Sequence, residues 1–266
     1  MSLTTTLLLA EQVSPFIKHV RLSNPLVHCI TNDVVQNFTA NILLAIGASP
    51  AMVVAQEEVA DFVKVTDSLL INVGTIEKSS AQSMLLAART AMLIDKPWVL
   101  DPVAVGSVLK FRMQVVLSLL SYHPTVIRGN AAEIMALLGH KAQSKGVDSQ
   151  ESTESALTAA KTLADQYQTI VAVTGATDYV TDGKQVYSIA GGDVALTKVT
   201  GTGCSLSAMV AAFIANSSDR LCAAASACYM MKKAAELADK QQGLGSFAVS
   251  LLDQLSLMEN IVVKEK

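Results

Sequence analysis

Residues 198–215 read KVTGTGCSLSAMVAAFIA. A Gly-Thr-Gly turn runs straight into a small, apolar, helix-forming segment, so Gly201, Thr202 and Gly203 place backbone N–H groups at a helix N-terminus without partners inside the helix. Those donors and the positive end of the helix dipole point the same way, which makes an anion site. Cys204 stands at its mouth. Two glycines around a hydroxyl also suit a tight turn that lets a helix pack closely on a sheet, and the chain before the turn bears on which reading holds.

That chain alternates. Leu26–Thr31, Ala51–Val54, Leu69–Val73, Trp98–Asp101, Thr125–Arg128 and Ile170–Thr174 are short β-rich apolar runs. Between them the spacing predicts helices at about 33–46, 57–66, 77–94, 108–121, 130–139 and 151–167. Asn32-Asp33, the Asp101-Pro102 turn and Asn130 read as helix starts, and Gly47 and Gly139 as stops. Continuous apolarity suits strands covered by helices on both faces. The rhythm therefore predicts βαβ units, a mostly parallel sheet and right-handed crossovers. Past Gly175, Asp178–Gly192 carries a Thr-Asp-Gly-Lys turn between strand residues, a hairpin signal. The remainder reads as helix at about 203–216, 219–240 and 246–259. The expected architecture is one three-layer α/β/α domain over residues 1–266, with no separate lid domain.

Composition agrees. Of 266 residues 51% are hydrophobic and 16% charged, against about a quarter charged in an ordinary soluble domain. Aromatics make up only 5%, so the excess is aliphatic and suits a covered sheet plus a subunit contact. A net charge of −3 and the lack of a basic run argue against nucleic acid as a partner. No apolar run reaches the roughly 18 residues of a membrane span. Residues 1–10, MSLTTTLLLA, have no basic start and read as part of an amphipathic first helix. Cys29, Cys204, Cys222 and Cys228 show no metal-type spacing and fit a reduced, cytoplasmic protein.

In such sheets ligands bind beyond the carboxyl ends of the strands, so the polar groups there matter most. Asp101, ahead of Pro102, is placed to meet a divalent cation, because Mg²⁺ favours one or two carboxylates with phosphate oxygens and water. It is equally an ordinary turn aspartate. Asn130 and Glu133 have the spacing of a capping box. Capping accounts less well for Arg128, which suits phosphate at a strand end beside Gly129. Thr174-Gly175 adds a hydroxyl and a close-approach glycine. His28 reads as a core residue, while His19, His123 and His140 fall on helices or at their ends. A Cys–His nucleophile pair stays open, since pairing in space is invisible in a sequence. No Walker-type phosphate loop and no Gly-x-Gly-x-x-Gly after the first strand occurs.

Taken together, NPLVHCITNDVVQNFTANILLAIGASPAM (24–52), LLINVGT (69–75), LDPVAVG (100–106), IRGNAAEIMAL (127–137), VAVTGATDYVTDG (171–183) and KVTGTGC (198–204) resemble hydroxyethylthiazole kinase, of the ribokinase-like superfamily. The match runs in order to GLGSF at 243–247, and the Cys that ends the glycine turn separates this family from relatives with Asp there. The resemblance implies transfer of the ATP γ-phosphate to the hydroxyl of 4-methyl-5-(2-hydroxyethyl)thiazole, in thiamine biosynthesis. Carried over by position, Asn32, Val34 and Met52 match the thiazole pocket, with Gly201 behind the hydroxyethyl group. Arg128 and Thr174 match nucleotide contacts, and Asp101 and Glu133 the acids near Mg²⁺. The resemblance further implies a homotrimer with thiazole bound between subunits. On this reading Cys204 positions the hydroxyl and assists proton removal modestly, since a helix N-terminus lowers a thiol pKa while a triphosphate raises it. A kinase for a hydroxymethylpyrimidine or pyridoxal-type alcohol, a non-catalytic nucleotide or thiazole sensor and a Cys-dependent hydrolase are the alternatives.

Overall fold

The alternation of short apolar runs and helical stretches becomes a nine-stranded sheet in a computed structural model that describes residues 5–139 and 150–258. The first half runs β1 (Thr5–Leu7), α1 (Ala10–Ser23), β2 (Leu26–Ile30), α2 (Gln36–Ala45), β3 (Ser49–Ala51), α3 (Gln56–Val65), β4 (Ser68–Asn72) and α4 (Lys78–Leu93). Next come β5 (Trp98–Asp101), α5 (Lys110–Leu120), β6 (Val126–Asn130), α6 (Ala131–Leu137), α7 (Gln150–Tyr167) and β7 (Ile170–Thr174). The hairpin β8 (Asp178–Thr181) and β9 (Val186–Ile189) precedes α8 (Thr202–Ile214), α9 (Arg220–Leu237) and α10 (Leu244–Leu257). The strand order is β1-β9-β8-β7-β6-β5-β4-β2-β3. From β3 to β7 every neighbour is parallel; β8 is antiparallel to β7 and to β9.

Side-chain alternation along the strands splits the core in two. Cys29, Leu70, Val99 and Val126 pack with α1, α2, α8, α9 and α10, while Ile30, Ile71, Leu100 and Ile127 pack with α3 to α7. The sheet is thus the middle of three layers, as the continuous apolar runs predict. The helix α8 is apolar on every face, and eleven of its thirteen residues are buried.

Several boundaries differ from expectation, each for a physical reason. Residues 5–7, expected within a first amphipathic helix, form β1 instead, because the outer edge of the hairpin offers β9 for parallel pairing; the helix begins at Ala10. The strand expected at 51–54 lies at Ser49–Ala51, where Leu26 registers with Ser49 and Pro50 is tolerated on an edge strand. Asn32-Asp33 does not start a helix: α2 begins at Gln36. Nor does Asp101-Pro102, since α5 begins only at Lys110. Residues 1–4, His140 and residue 259, where the last helix was expected to end, lie outside the described residues. Among the described residues no helix is long and apolar enough to cross a membrane.

Candidate active site

Parallel register aligns the polar strand ends. Asn72 on β4 pairs with Asp101 on β5, and Asn130 on β6 pairs with Thr174 on β7. The N-terminus of α8 faces this row. Gly201, its N-cap, has φ +95°, a left-handed conformation costly for residues with a Cβ. An added Cβ there would lie 3.2 Å from Val35 and 3.3 Å from Phe38. The first intrahelical hydrogen bond is donated by Ser205 N to Gly201 O at 2.8 Å, so the amides of residues 202–204 precede the helical ladder. The Thr202 hydroxyl donates to Leu196 O at 2.6 Å, which ties the turn down and leaves the Thr202 amide as its contribution to an anion site.

Behind the turn runs a buried polar chain. Asn32 Nδ2 donates to Cys204 Sγ at 3.4 Å and to Asn72 Oδ1 at 3.0 Å. Asn72 Nδ2 donates to Asp101 Oδ2 at 2.8 Å, and Ser207 Oγ donates to the same oxygen at 2.7 Å. The close approach of Asn32 to this chain depends on Gly74, where a Cβ would fall 2.6 Å from that of Asn32. Ser207 was not singled out from the sequence, although its place three residues after Cys204 puts both on one helix face.

Electrostatics follow from burial. Asp101 is wholly buried; desolvation raises its pKa above the usual carboxylate range against the pull of Arg128, and Glu133 adds to the rise. Its Oδ1 has no hydrogen-bond partner among the described residues. Burial also raises the Cys204 thiol, with Asp101 adding and the Asn72 and Asn32 amides opposing. Burial thus works against the lowering that a helix N-terminus favours and favours the neutral thiol. Cys204 accepts from the Asn32 amide, while His28 Nε2 donates to Val53 O at 2.7 Å and its Nδ1 has no partner among the described residues, so this thiol is not paired with that imidazole.

Arg128 bridges the turn and a strand end. Its Nη1 donates to Gly203 O at 3.0 Å and its Nη2 to Thr174 Oγ1 at 2.6 Å. Both capping-box bonds are present, at 2.9 Å each, between Asn130 and Glu133. The other Glu133 oxygen accepts from Ala104 N at 2.8 Å. Two cavities flank this assembly. One of about 450 Å³ is walled by Arg128, Thr174, Thr202 and Gly203, and one of about 220 Å³ by Asn32 and Asn72. Glu133 faces a third, beside Ala104–Leu109. Met52 is half-buried against the core, and Val34 is 67% exposed in the single chain.

The donor set bears on a divalent ion. Among the described residues no three His, Cys, Asp or Glu side chains cluster to hold a metal by themselves. One orphaned, buried carboxylate oxygen on Asp101 instead fits an ion that brings most of its ligands as phosphate oxygens and water.

The model of the hydroxyethylthiazole kinase family matches residues 17–260. The chain belongs to the hydroxyethylthiazole kinase family. A relative from Pectobacterium carotovorum, a hydroxyethylthiazole kinase, is 54% identical over 247 residues, 92% of this chain and 93% of its own. The structure of a hydroxyethylthiazole kinase from Pyrococcus horikoshii OT3 is similar with a TM-score of 0.87 at 39% identity, covering 96% of this chain and 97% of that one. A ribokinase-like superfamily protein from Enterococcus faecalis V583 shares the fold, with a TM-score of 0.71 at 13% identity over 97% of this chain and 96% of that one. The family's activity is ATP-dependent phosphorylation of the thiazole alcohol in thiamine biosynthesis, and the match favours it over the pyrimidine, pyridoxal, sensor and hydrolase alternatives.

The turn generates a stability prediction. Gly201→Ala is expected to lower unfolding free energy by about 1–3 kcal/mol, as a non-glycine residue forced into left-handed backbone does. Urea denaturation measures it, and an unchanged midpoint would show that the turn relaxes freely.

Proposed function

We propose that the amides of Gly201, Thr202, Gly203 and Cys204 hold the γ-phosphoryl group while it moves from ATP in the larger of the two flanking cavities to the thiazole alcohol beside Asn32. The observation that carries this reading is that the α8 first turn reaches both cavities: Thr202 and Gly203 wall one, and Asn32, which lines the other, donates to Cys204 in the same turn. Residues 1–266 act in it as a single kinase domain.

Phosphoryl transfer passes through a loose transition state, so alignment and charge stabilisation matter more than a strong base. The acceptor hydroxyl attacks the γ-phosphorus, the bond to the β–γ bridging oxygen breaks and ADP leaves. Peptide N–H groups fixed before the reaction stabilise the equatorial oxygens without reorganising. Arg128 and Thr174 address the nucleotide phosphates, and the Arg128 bond to Gly203 places its charge at the turn. Asp101 and Glu133 are the acids that would hold magnesium or its water, and the ion would supply neutralisation of charge on the ATP phosphates.

Cys204 positions the hydroxyl together with Asn32. Its raised pKa supports this reading, since a neutral thiol hydrogen-bonds without adding negative charge beside the phosphates. The hydroxyl proton is lost late, with only modest help from sulfur. Val34, Met52 and Gly201 complete the thiazole pocket, and the exposure of Val34 in one chain supports closure by a neighbouring subunit in a homotrimer.

Incubation with ATP, Mg²⁺ and the thiazole alcohol is expected to yield its phosphate monoester and equimolar ADP by mass spectrometry. In that assay Asp101→Asn is expected to lower kcat by about 10²–10³-fold, the range for losing one preorganised electrostatic group, with KM for the alcohol little changed. Unchanged turnover would remove Asp101 from the reaction. Cys204→Ser is expected to lose less than about 10²-fold, below what removal of a general base costs. Complete loss in a folded, substrate-binding variant would make the sulfur essential. Sedimentation is expected to give three times the 28.1 kDa chain mass, and a monomer active at assay concentration would refute a shared site.

A further inference from the structure

The wall of the larger cavity holds a charge that the phosphoryl-transfer scheme does not use. Lys232, on α9, is buried to 6% exposure and lines that cavity. Its ammonium donates to Gly175 O at 2.9 Å, Ala176 O at 2.8 Å and Gly191 O at 3.0 Å. Asp178 Oδ1, itself 3% exposed, lies 3.4 Å away and accepts from Gly175 N at 2.9 Å. An ammonium has three N–H donors, and the three carbonyls use them all. Gly192 fits tightly over the lysine stem: a Cβ there would lie 3.1 Å from Lys232 Cγ.

A lysine shaped only by core packing would sit among apolar groups or extend to water. This one ends in a cage of oxygens drawn from two loops, the β7–β8 turn and the segment after β9. Carbonyl cages of this kind replace the hydration shell of a monovalent cation. The first of these loops carries Thr174-Gly175, the strand end that Arg128 reaches.

We propose that Lys232 is a positioning residue of the nucleotide site, a tethered monovalent cation that ties the Gly175–Ala176 turn to the Gly191 segment and so shapes the phosphate end of the cavity. Asp178 balances its charge and orients the Gly175 amide. Because the cation is built in, nucleotide binding needs no added K⁺ or NH₄⁺. The inference rests on the larger cavity taking the nucleotide, as in the function proposed above, but not on the identity of the acceptor.

Calorimetric titration with Mg²⁺–ADP tests it without the acceptor. The wild-type chain is expected to bind ADP equally well in potassium, sodium and tetramethylammonium chloride at one ionic strength. A clear preference for potassium would overturn the proposal. Lys232→Ala opens an ammonium-sized hole lined by oxygens, and in tetramethylammonium it is expected to bind ADP at least about tenfold more weakly, given the worth of hydrogen bonds to a charged donor. Addition of NH₄⁺ or K⁺ is expected to restore affinity. Lys232→Met fills the same space without charge and is expected to be weakened without rescue. Unchanged ADP affinity in either variant, or a folded Lys232→Ala that neither cation rescues, would reduce Lys232 to a structural role. Should Lys232→Ala fail to fold, the cation series on the wild type and Lys232→Met still decide. Failure of the wild type to bind ADP at all would instead count against the kinase reading itself.

Discussion

The site depends on an immobile helix end. Eleven of the thirteen residues of α8 are buried, so sliding or tilting it would disrupt close packing along its length, and its N-terminus, which turns on the left-handed Gly201, is tied by the Thr202 hydroxyl bond to Leu196 O. Amides fixed in this way point at one place whether or not phosphate is there. For a reaction whose transition state is mostly dispersed charge on oxygen, donors that need not reorganise are the main asset.

The second constraint is charge crowding. Asp101 is buried, its pKa is raised, and among the described residues only its Oδ2 is served, by Asn72 and Ser207. A second carboxylate at position 204 would add like charge beside it and raise the cost of ionising both. A thiol avoids this. The bonds from Asn32 to Cys204 and Asn72 then link the thiol to the buried acid without placing another charge between them.

Much of this was legible in the sequence because it is local. The apolar runs at 69–73, 98–101 and 170–174 became β4, β5 and β7 within a residue, since buried parallel strands need continuous aliphatic stretches. Asn130 and Glu133 formed the capping box their spacing predicts, and Gly183 supplied the left-handed hairpin turn. What could not be read depended on partners distant in the chain. The β1 strand exists because β9 offers an edge, and Asn32 is a member of the polar chain rather than a helix start because β4 and α8 bring Asn72 and Cys204 to it. In the sequence Lys232 is simply one of two adjacent lysines, with no role assigned to it. Only the three carbonyls that converge on it reveal a buried charge, and no spacing rule anticipates that.

The amides of residues 202–204 can be watched directly by hydrogen exchange. With ADP, Mg²⁺, fluoroaluminate and the thiazole alcohol bound as a mimic of the moving phosphoryl group, exchange at these three positions is expected to slow selectively, beyond any slowing with ADP alone. If calorimetry confirms that the mimic binds while those amides exchange at their free rates, the helix end does not hold the phosphoryl group, and the mechanism built on it fails.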